Sequence, residues 1–211
     1  MDSGLELRQV EIRYNDDVLL RVSQSVAPGE VLSLMGPSGS GKSTLLAFVS
    51  GTLSPEFSYA GEIWLNGSNI TELPPHLRRI GILFQDDLLF PHMSVGQNLA
   101  FGLSPGGTAE SRRKAVSEAL GEVGLAGYEN RDPDTLSGGQ KARVSLMRML
   151  LSEPRALLLD EPFSRLDEEL RDRTRSMVFE LAKRRKLPVL LVTHDMEDAR
   201  QSGGTIVNLS Q

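Results

Sequence analysis

The sequence predicts an α/β fold: a mostly parallel core sheet with a helical segment inserted into it. Three observations carry that prediction. Short, continuous apolar runs at residues 31–35, 156–159 and 189–192 have the pattern of parallel strands covered on both faces. Helical stretches lie between them, the longest over residues 167–186. From about Asp86 to Glu153 the patterns become helical throughout, with no strong strand.

Taken in order, residues 5–12 and 18–26 alternate loosely, as half-buried strands do. Pro28-Gly29 marks a turn. The apolar run 31–35 enters the glycine-rich stretch Gly36-Pro37-Ser38-Gly39-Ser40-Gly41-Lys42-Ser43, and residues 44–50 then read as helix. Residues 62–65 form a strand closed by the Asn66-Gly67 turn. Another strand, 80–84, ends at Gln85. Helices follow over 95–103, 109–123 and 139–151, and Pro154 stops the last. The helix 167–186 has acids early (Asp167, Glu168, Glu169) and bases late (Lys183 to Lys186), an order that complements the helix dipole. A last strand is expected over 205–209. The chain runs barely beyond it, so no C-terminal regulatory domain is expected.

At 211 residues the chain is long enough for one domain with an inserted subdomain. A formal charge of −5 argues against a nucleic-acid partner, which usually leaves a basic footprint. Helix-end charge accounts for the basic run 183–186. With no cysteine, disulfides, thiolate metal sites and a cysteine nucleophile are excluded, and a reducing compartment is compatible. No apolar run approaches the roughly 18 residues a membrane span needs, and no signal pattern opens the chain.

The chemistry centres on the loop 36–43. Its glycines let the backbone curl around phosphates with its N–H groups turned inward. Lys42 would reach the β and γ phosphates, and the Ser43 hydroxyl would ligate Mg²⁺ at a favourable helix start. Asp160 and Glu161 end an apolar strand. Asp160 sits where a Mg²⁺ contact is needed, and Glu161 is placed to orient or deprotonate an attacking water. His194 follows the strand 189–192 and so lies at the carboxyl edge of the sheet, where a γ-phosphate contact competes with a structural role. Gln85 also ends a strand; it ligates Mg²⁺, holds water or caps a turn. Leu136-Ser137-Gly138-Gly139-Gln140 opens a second helix with Ser137 beside bare glycines, and reads either as an anion site or as an ordinary serine cap. One chain thus carries a whole phosphate site and a separate half.

Together these residues resemble the ATP-binding cassette family, in order and spacing, over nearly the whole chain. The matching motifs are the Walker A loop 36–43, the Q-loop at Gln85, the signature 136–140, Walker B at 157–160 with Glu161, the D-loop 164–167 and the switch histidine His194. The resemblance implies an antiparallel β subdomain at the N-terminus, a core of residues 1–85 and 153–211, and a helical subdomain of 86–152. It implies that ATP and Mg²⁺ are bound, with Gly36 to Thr44 at the phosphates. Tyr14 stands where the family places a ring that stacks on adenine, although a strand-end tyrosine would look the same. It also implies a head-to-tail dimer, in which the partner copy's signature, Ser137 to Gln140, closes each ATP site. Hydrolysis in such a dimer drives transmembrane permease subunits.

The stretch 82–98 is similar to the permease-docking region of bacterial importers for thiamine, polyamines and anions. Leu88, Leu89, Phe90 and Met93 would be exposed there, unless they fill the insertion's own core. A peripheral place on the cytoplasmic face of the inner membrane follows, with a substrate-binding protein as an indirect partner. Two departures stand out: Arg165 replaces the usual small D-loop residue, and Lys141 follows the signature where Gln or Arg is usual. The alternative is a soluble cassette ATPase acting on nucleic acid or ribosomes. Such relatives carry coiled-coil insertions or tandem cassettes, and neither pattern is present here.

Overall fold

A computed structural model describes residues 4–37 and 39–209. In chain order the first elements are β1 (Leu5–Tyr14), β2 (Asp17–Val26), β3 (Val31–Met35), α1 (Lys42–Ser50) and β4 (Phe57–Leu65). Next come β5 (Ser68–Asn69), α2 (Pro75–Arg78), β6 (Ile80–Leu83), α3 (Val95–Gly102), α4 (Ala109–Glu122) and α5 (Gly138–Leu150). The chain then forms β7 (Ala156–Asp160), α6 (Glu168–Arg184), β8 (Val189–Val192), α7 (Met196–Gln201) and β9 (Thr205–Asn208).

Two compact units divide these elements. The first holds residues up to Ile82, Arg155–Glu161 and everything from Phe179 on; the second holds Leu83–Pro154 and Pro162–Val178.

The first unit contains two sheets. One is antiparallel, in the order β2-β1-β4-β5. The other has the order β6-β7-β8-β3-β9, with parallel pairing of β7 to β8, β8 to β3 and β3 to β9. Every residue of β3 and β8 is buried, which explains their unbroken apolar sequences. Leu158, Leu190 and Leu32 lie side by side in one row across this sheet. One apolar cluster joins Leu5, Ile12 and Ile63 of the antiparallel sheet to Leu45 and Phe48 of α1 and to Leu32, Leu158 and Leu190.

Gln9 interrupts β1 with a left-handed backbone (φ 48°) at a bulge in both of its pairings. A Cβ on Gly61 of β4 would run into the Gln9 carbonyl oxygen, so the bulge requires glycine opposite it. Arg78 closes the far end of α1. Its guanidinium is buried and donates to the carbonyls of Phe48 and Val49 at 2.8 and 3.0 Å, to Leu73 at 2.7 Å, and to Thr71. The Phe48 and Val49 carbonyls lie in the last turn of α1, where the helix leaves acceptors short of donors, and a cation there matches the dipole.

The second unit is helical. Buried Val95, Leu99, Val116, Leu120, Val144 and Met147 supply its interior from α3, α4 and α5. Ser94 caps α3 in a reciprocal capping box with Gln97, and Thr108 caps α4. Among the described residues no helix is long and apolar enough to cross a membrane.

Candidate nucleotide site and signature helix

In the first unit, β3 delivers the chain into the loop that precedes α1. The residue at the cap position before α1 is Gly41, left-handed at φ 85°, with no side chain capping the helix. A Cβ on Gly41 would lie 2.6 Å from Leu20 and 3.0 Å from Leu19, so packing as well as φ requires glycine. The first turn of α1 therefore has no side-chain acceptor from its cap and no acidic residue. Lys42 is buried, with its Nζ donating to the carbonyls of Gly36 at 2.7 Å and Pro37 at 2.8 Å. The loop thus folds around its own cation. Pro37 and Gly39 are exposed, whereas Ser40 is buried and its N–H donates to the Pro37 carbonyl. Ser38 lies outside the described residues.

An open cleft of about 500 Å³ lies over this helix start. Gly39, Gly41, Lys42, Ser43 and Thr44 line it, together with Asp160, Glu161 and Val192 from the ends of β7 and β8. Tyr14, Leu19 and Phe57 complete the lining. The Tyr14 and Phe57 rings stack obliquely, with centroids 5.3 Å apart, because β1 and β4 pair these two residues directly. Tyr14 is half exposed and so presents a ring to the cleft. Sequence reasoning missed Phe57 and Leu19. Their place depends on which strand pairs with which, and no local pattern reports that.

The two carboxylates at the end of β7 differ. Burial pushes the Asp160 carboxyl above its ordinary range, Glu161 adds to the rise, and Lys42 opposes it. Glu161 has a left-handed backbone (φ 46°), costly for a non-glycine residue and held by its N–H donating to the Val192 carbonyl at 2.9 Å. Its Oε1 lies 3.1 Å from Nδ1 of His194, an exposed residue just past β8. Next to it, Asp195 caps α7 by accepting from the Glu197 N–H at 2.8 Å. Ser43 is exposed in the cleft lining.

A hydroxyl and a carboxylate are the hard oxygen donors Mg²⁺ prefers. A negative group disfavoured by burial is also what a bound cation would relieve. Among the described residues no cluster of three histidine or acidic side chains could hold a metal alone.

Gln85 and the signature belong to the second unit. Gln85 is exposed in a bend just after β6. Ser137 starts α5 in a capping box: its Oγ accepts from the Gln140 N–H at 3.3 Å, and Gln140 Oε1 accepts from the Ser137 N–H at 3.0 Å. Ser137 and Gly138 are exposed, while Gly139 is buried because a Cβ there would collide with Leu170 of α6. Asp167 caps α6 through the Leu170 N–H at 3.0 Å. Arg165 forms an ion pair with Asp86, and Lys141 forms one with Asp134 at 3.4 Å.

The expectation of an exposed quartet at 88, 89, 90 and 93 needs correction. Leu88 is exposed, but Leu89, Phe90 and Met93 are half-buried. Phe90 is covered by Arg148 and by an edge-on contact with Phe101 at 4.8 Å. The exposed aromatics of this unit are Phe84 and Phe101, which the sequence reading did not single out for this role.

A parallel sheet, a glycine-rich loop wrapped around a buried lysine and a helix start left open define a P-loop nucleotide-binding protein. The comparison with protein families narrows this class. The ABC transporter family matches residues 19–164, so the chain belongs to the ABC transporter family and is an ATP-binding subunit. It is 48% identical over 97% of its length to an uncharacterised ABC transporter ATP-binding protein, YnjD, of Escherichia coli K12, covering 94% of that protein. It is 44% identical to the thiamine import ATP-binding protein ThiQ of Vibrio vulnificus, over 93% of this chain and 82% of that one. It is 41% identical to the putrescine transport ATP-binding protein PotG of E. coli K12, over 98% of this chain and 55% of that one.

Proposed function

We propose that this chain is the ATP-hydrolysing subunit of a membrane importer, working as a dimer in which each ATP is closed in by the signature of the other copy. The observation that carries the reading is the contrast between two glycine-rich helix starts in one chain. The α1 start has no side-chain cap and lines a cleft together with a lysine and two carboxylates; the α5 start is closed by its own capping box, with Ser137 and Gly138 exposed. Relatives whose names include thiamine import and putrescine transport support a role in uptake. The two units would then act as one cassette spanning residues 1–211, held on permease subunits at the cytoplasmic face of the inner membrane and served by a substrate-binding protein.

Roles follow from position. Tyr14, supported by Phe57, offers an aromatic face to adenine. Backbone N–H groups of Gly39 and of Gly41 to Thr44, with the ammonium of Lys42, take the phosphates, Lys42 leaving the Gly36 and Pro37 carbonyls for stronger anionic acceptors. Ser43 and Asp160 would hold Mg²⁺, which would supply charge neutralisation at the β and γ phosphates. Glu161 accepts a proton from the attacking water. His194 holds the Glu161 carboxylate in place through the 3.1 Å contact and lies at the sheet edge where a γ-phosphate would sit. Ser137, Gly138, Gly139 and Gln140 of the partner copy add a helix start to the same phosphate.

Turnover measured against protein concentration tests this reading. A site shared between copies makes activity per chain rise with concentration until dimers saturate. Activity per chain that is flat down to dilutions where only monomer elutes would refute the shared site.

A further inference from the structure

Residues 87–94 form an irregular segment between β6 and α3, whose backbone polar groups need partners. Side chains from two helices supply them. Asn98 of α3 is completely buried. Its Nδ2 donates to the carbonyls of Phe90, Met93 and Ser94 at 3.1, 3.2 and 3.1 Å, and its Oδ1 accepts from the Phe90 N–H at 2.9 Å. The same Oδ1 accepts from Arg148 of α5 at 3.2 Å. Arg148 also donates to the carbonyls of Leu88 at 2.9 Å and Asp87 at 3.3 Å, and its guanidinium lies 5.0 Å from the Phe90 ring centre. Ser145, on the same helix, donates to the Asp87 carbonyl at 2.8 Å. Gly102 lets α3 approach α5, since a Cβ there would strike the Arg148 carbonyl.

Helix α5 therefore carries two things. At its start are exposed Ser137 and Gly138; about 16 Å further along, by helical rise, is the grip on this segment. The segment and its neighbours present exposed Leu88, Phe84 and Phe101. We propose that Arg148 and Asn98 are positioning residues that lock segment 87–94 onto α5, so that a pull on the signature end of the helix is delivered to this apolar surface. The shared-site reading supplies the pull, and the proposal rests on that reading; the lock itself rests on the hydrogen bonds alone.

The test uses the natural absence of cysteine. A spin label on Leu88→Cys, in a Glu161→Gln background, reports the segment. The parent is expected to dimerise with ATP and Mg²⁺ and to change its label spectrum as it does so. Arg148→Met, which keeps the side-chain stem but loses the fork, should still bind ATP and dimerise but lose that change; Arg148→Lys should restore part of it. Hydrogen exchange without nucleotide is the second readout. Amides of 87–94 should exchange at least tenfold faster in Arg148→Met, while those of α4 stay as in the parent. Ser145→Ala should show a smaller rise and decides the matter if Arg148→Met does not fold. Unchanged exchange in these variants, or a dimerising parent with a silent label, overturns the lock. A parent that never dimerises refutes the shared site instead, and the exchange data still judge the lock.

Discussion

The starts of α1 and α5 are both glycine-rich and begin helices of 9 and 13 residues, yet they are finished in opposite ways. At α1 the cap is a left-handed glycine that offers no side-chain acceptor, and a buried lysine stands beside it. At α5 a serine and a glutamine satisfy each other's backbone in a capping box. The uncapped start leaves its amides for a ligand and carries its own cation. The capped start is stable alone and exposed, suited to meeting a phosphate held elsewhere. On the proposed reading, similar sequence texture encodes a receiver and a donor, and the difference lies in what occupies the cap position.

Four substitutions break or sharpen this contrast. Ser137→Arg places bulk and charge at the donor end. ATPase activity should fall to background while ATP affinity of the monomer is unchanged, as measured by equilibrium binding; normal turnover would remove the signature from the site. Lys42→Ala acts on the receiver. Losing charge-assisted bonds of about 1.5–3 kcal/mol should weaken ATP binding by roughly 10- to 150-fold, and unchanged affinity would deny Lys42 its role. Gly41→Ala forces a side chain into a left-handed backbone beside Leu19 and Leu20. A stability loss of about 1–3 kcal/mol is expected in urea unfolding, together with weaker nucleotide binding.

Asp160→Asn gives the smallest effect on stability, and a diagnostic one. Burial raises the Asp160 carboxyl in the folded chain above its unfolded value near 3.9, so the native state holds the proton more tightly. The site is then least costly below the unfolded pKa, and stability falls as pH rises through the folded one. The asparagine variant should therefore melt at a higher temperature than the parent at neutral pH without nucleotide, and lose Mg²⁺-dependent activity. A lower melting temperature would show the carboxylate to be stabilising.

Much of this was legible in the sequence. Buried parallel strands announce themselves by unbroken apolar runs, so β3 and β8 fall where residues 31–35 and 189–192 placed them. The phosphate loop, Asp160, Glu161 and His194 follow strands recognisable in the same way, and the cleft gathers Gly39, Gly41, Lys42, Ser43 and Thr44 with both acids. What was missed depends on long-range pairing. β4 begins at Phe57 rather than at residue 62, because Gly61 breaks the alternation and only the Gln9 bulge explains that glycine. Phe57 joins the cleft through its register with Tyr14. The six-residue α7 is too short to show a periodic face; only its aspartate cap marks it. The burial of Phe90 follows from Arg148, which lies far off in the chain and close in the fold.

The central claim is that the donor helix start of one copy completes the receiver of another. Glu161→Gln removes the group assigned to the water, which should slow hydrolysis by about 10²- to 10⁴-fold and trap the closed state. Size-exclusion chromatography of this variant with ATP and Mg²⁺ is the direct measurement. The account predicts a dimer with ATP, a monomer without it, and a monomer in both conditions once Ser137→Arg is added. A Glu161→Gln chain that binds ATP and still elutes only as a monomer would contradict it.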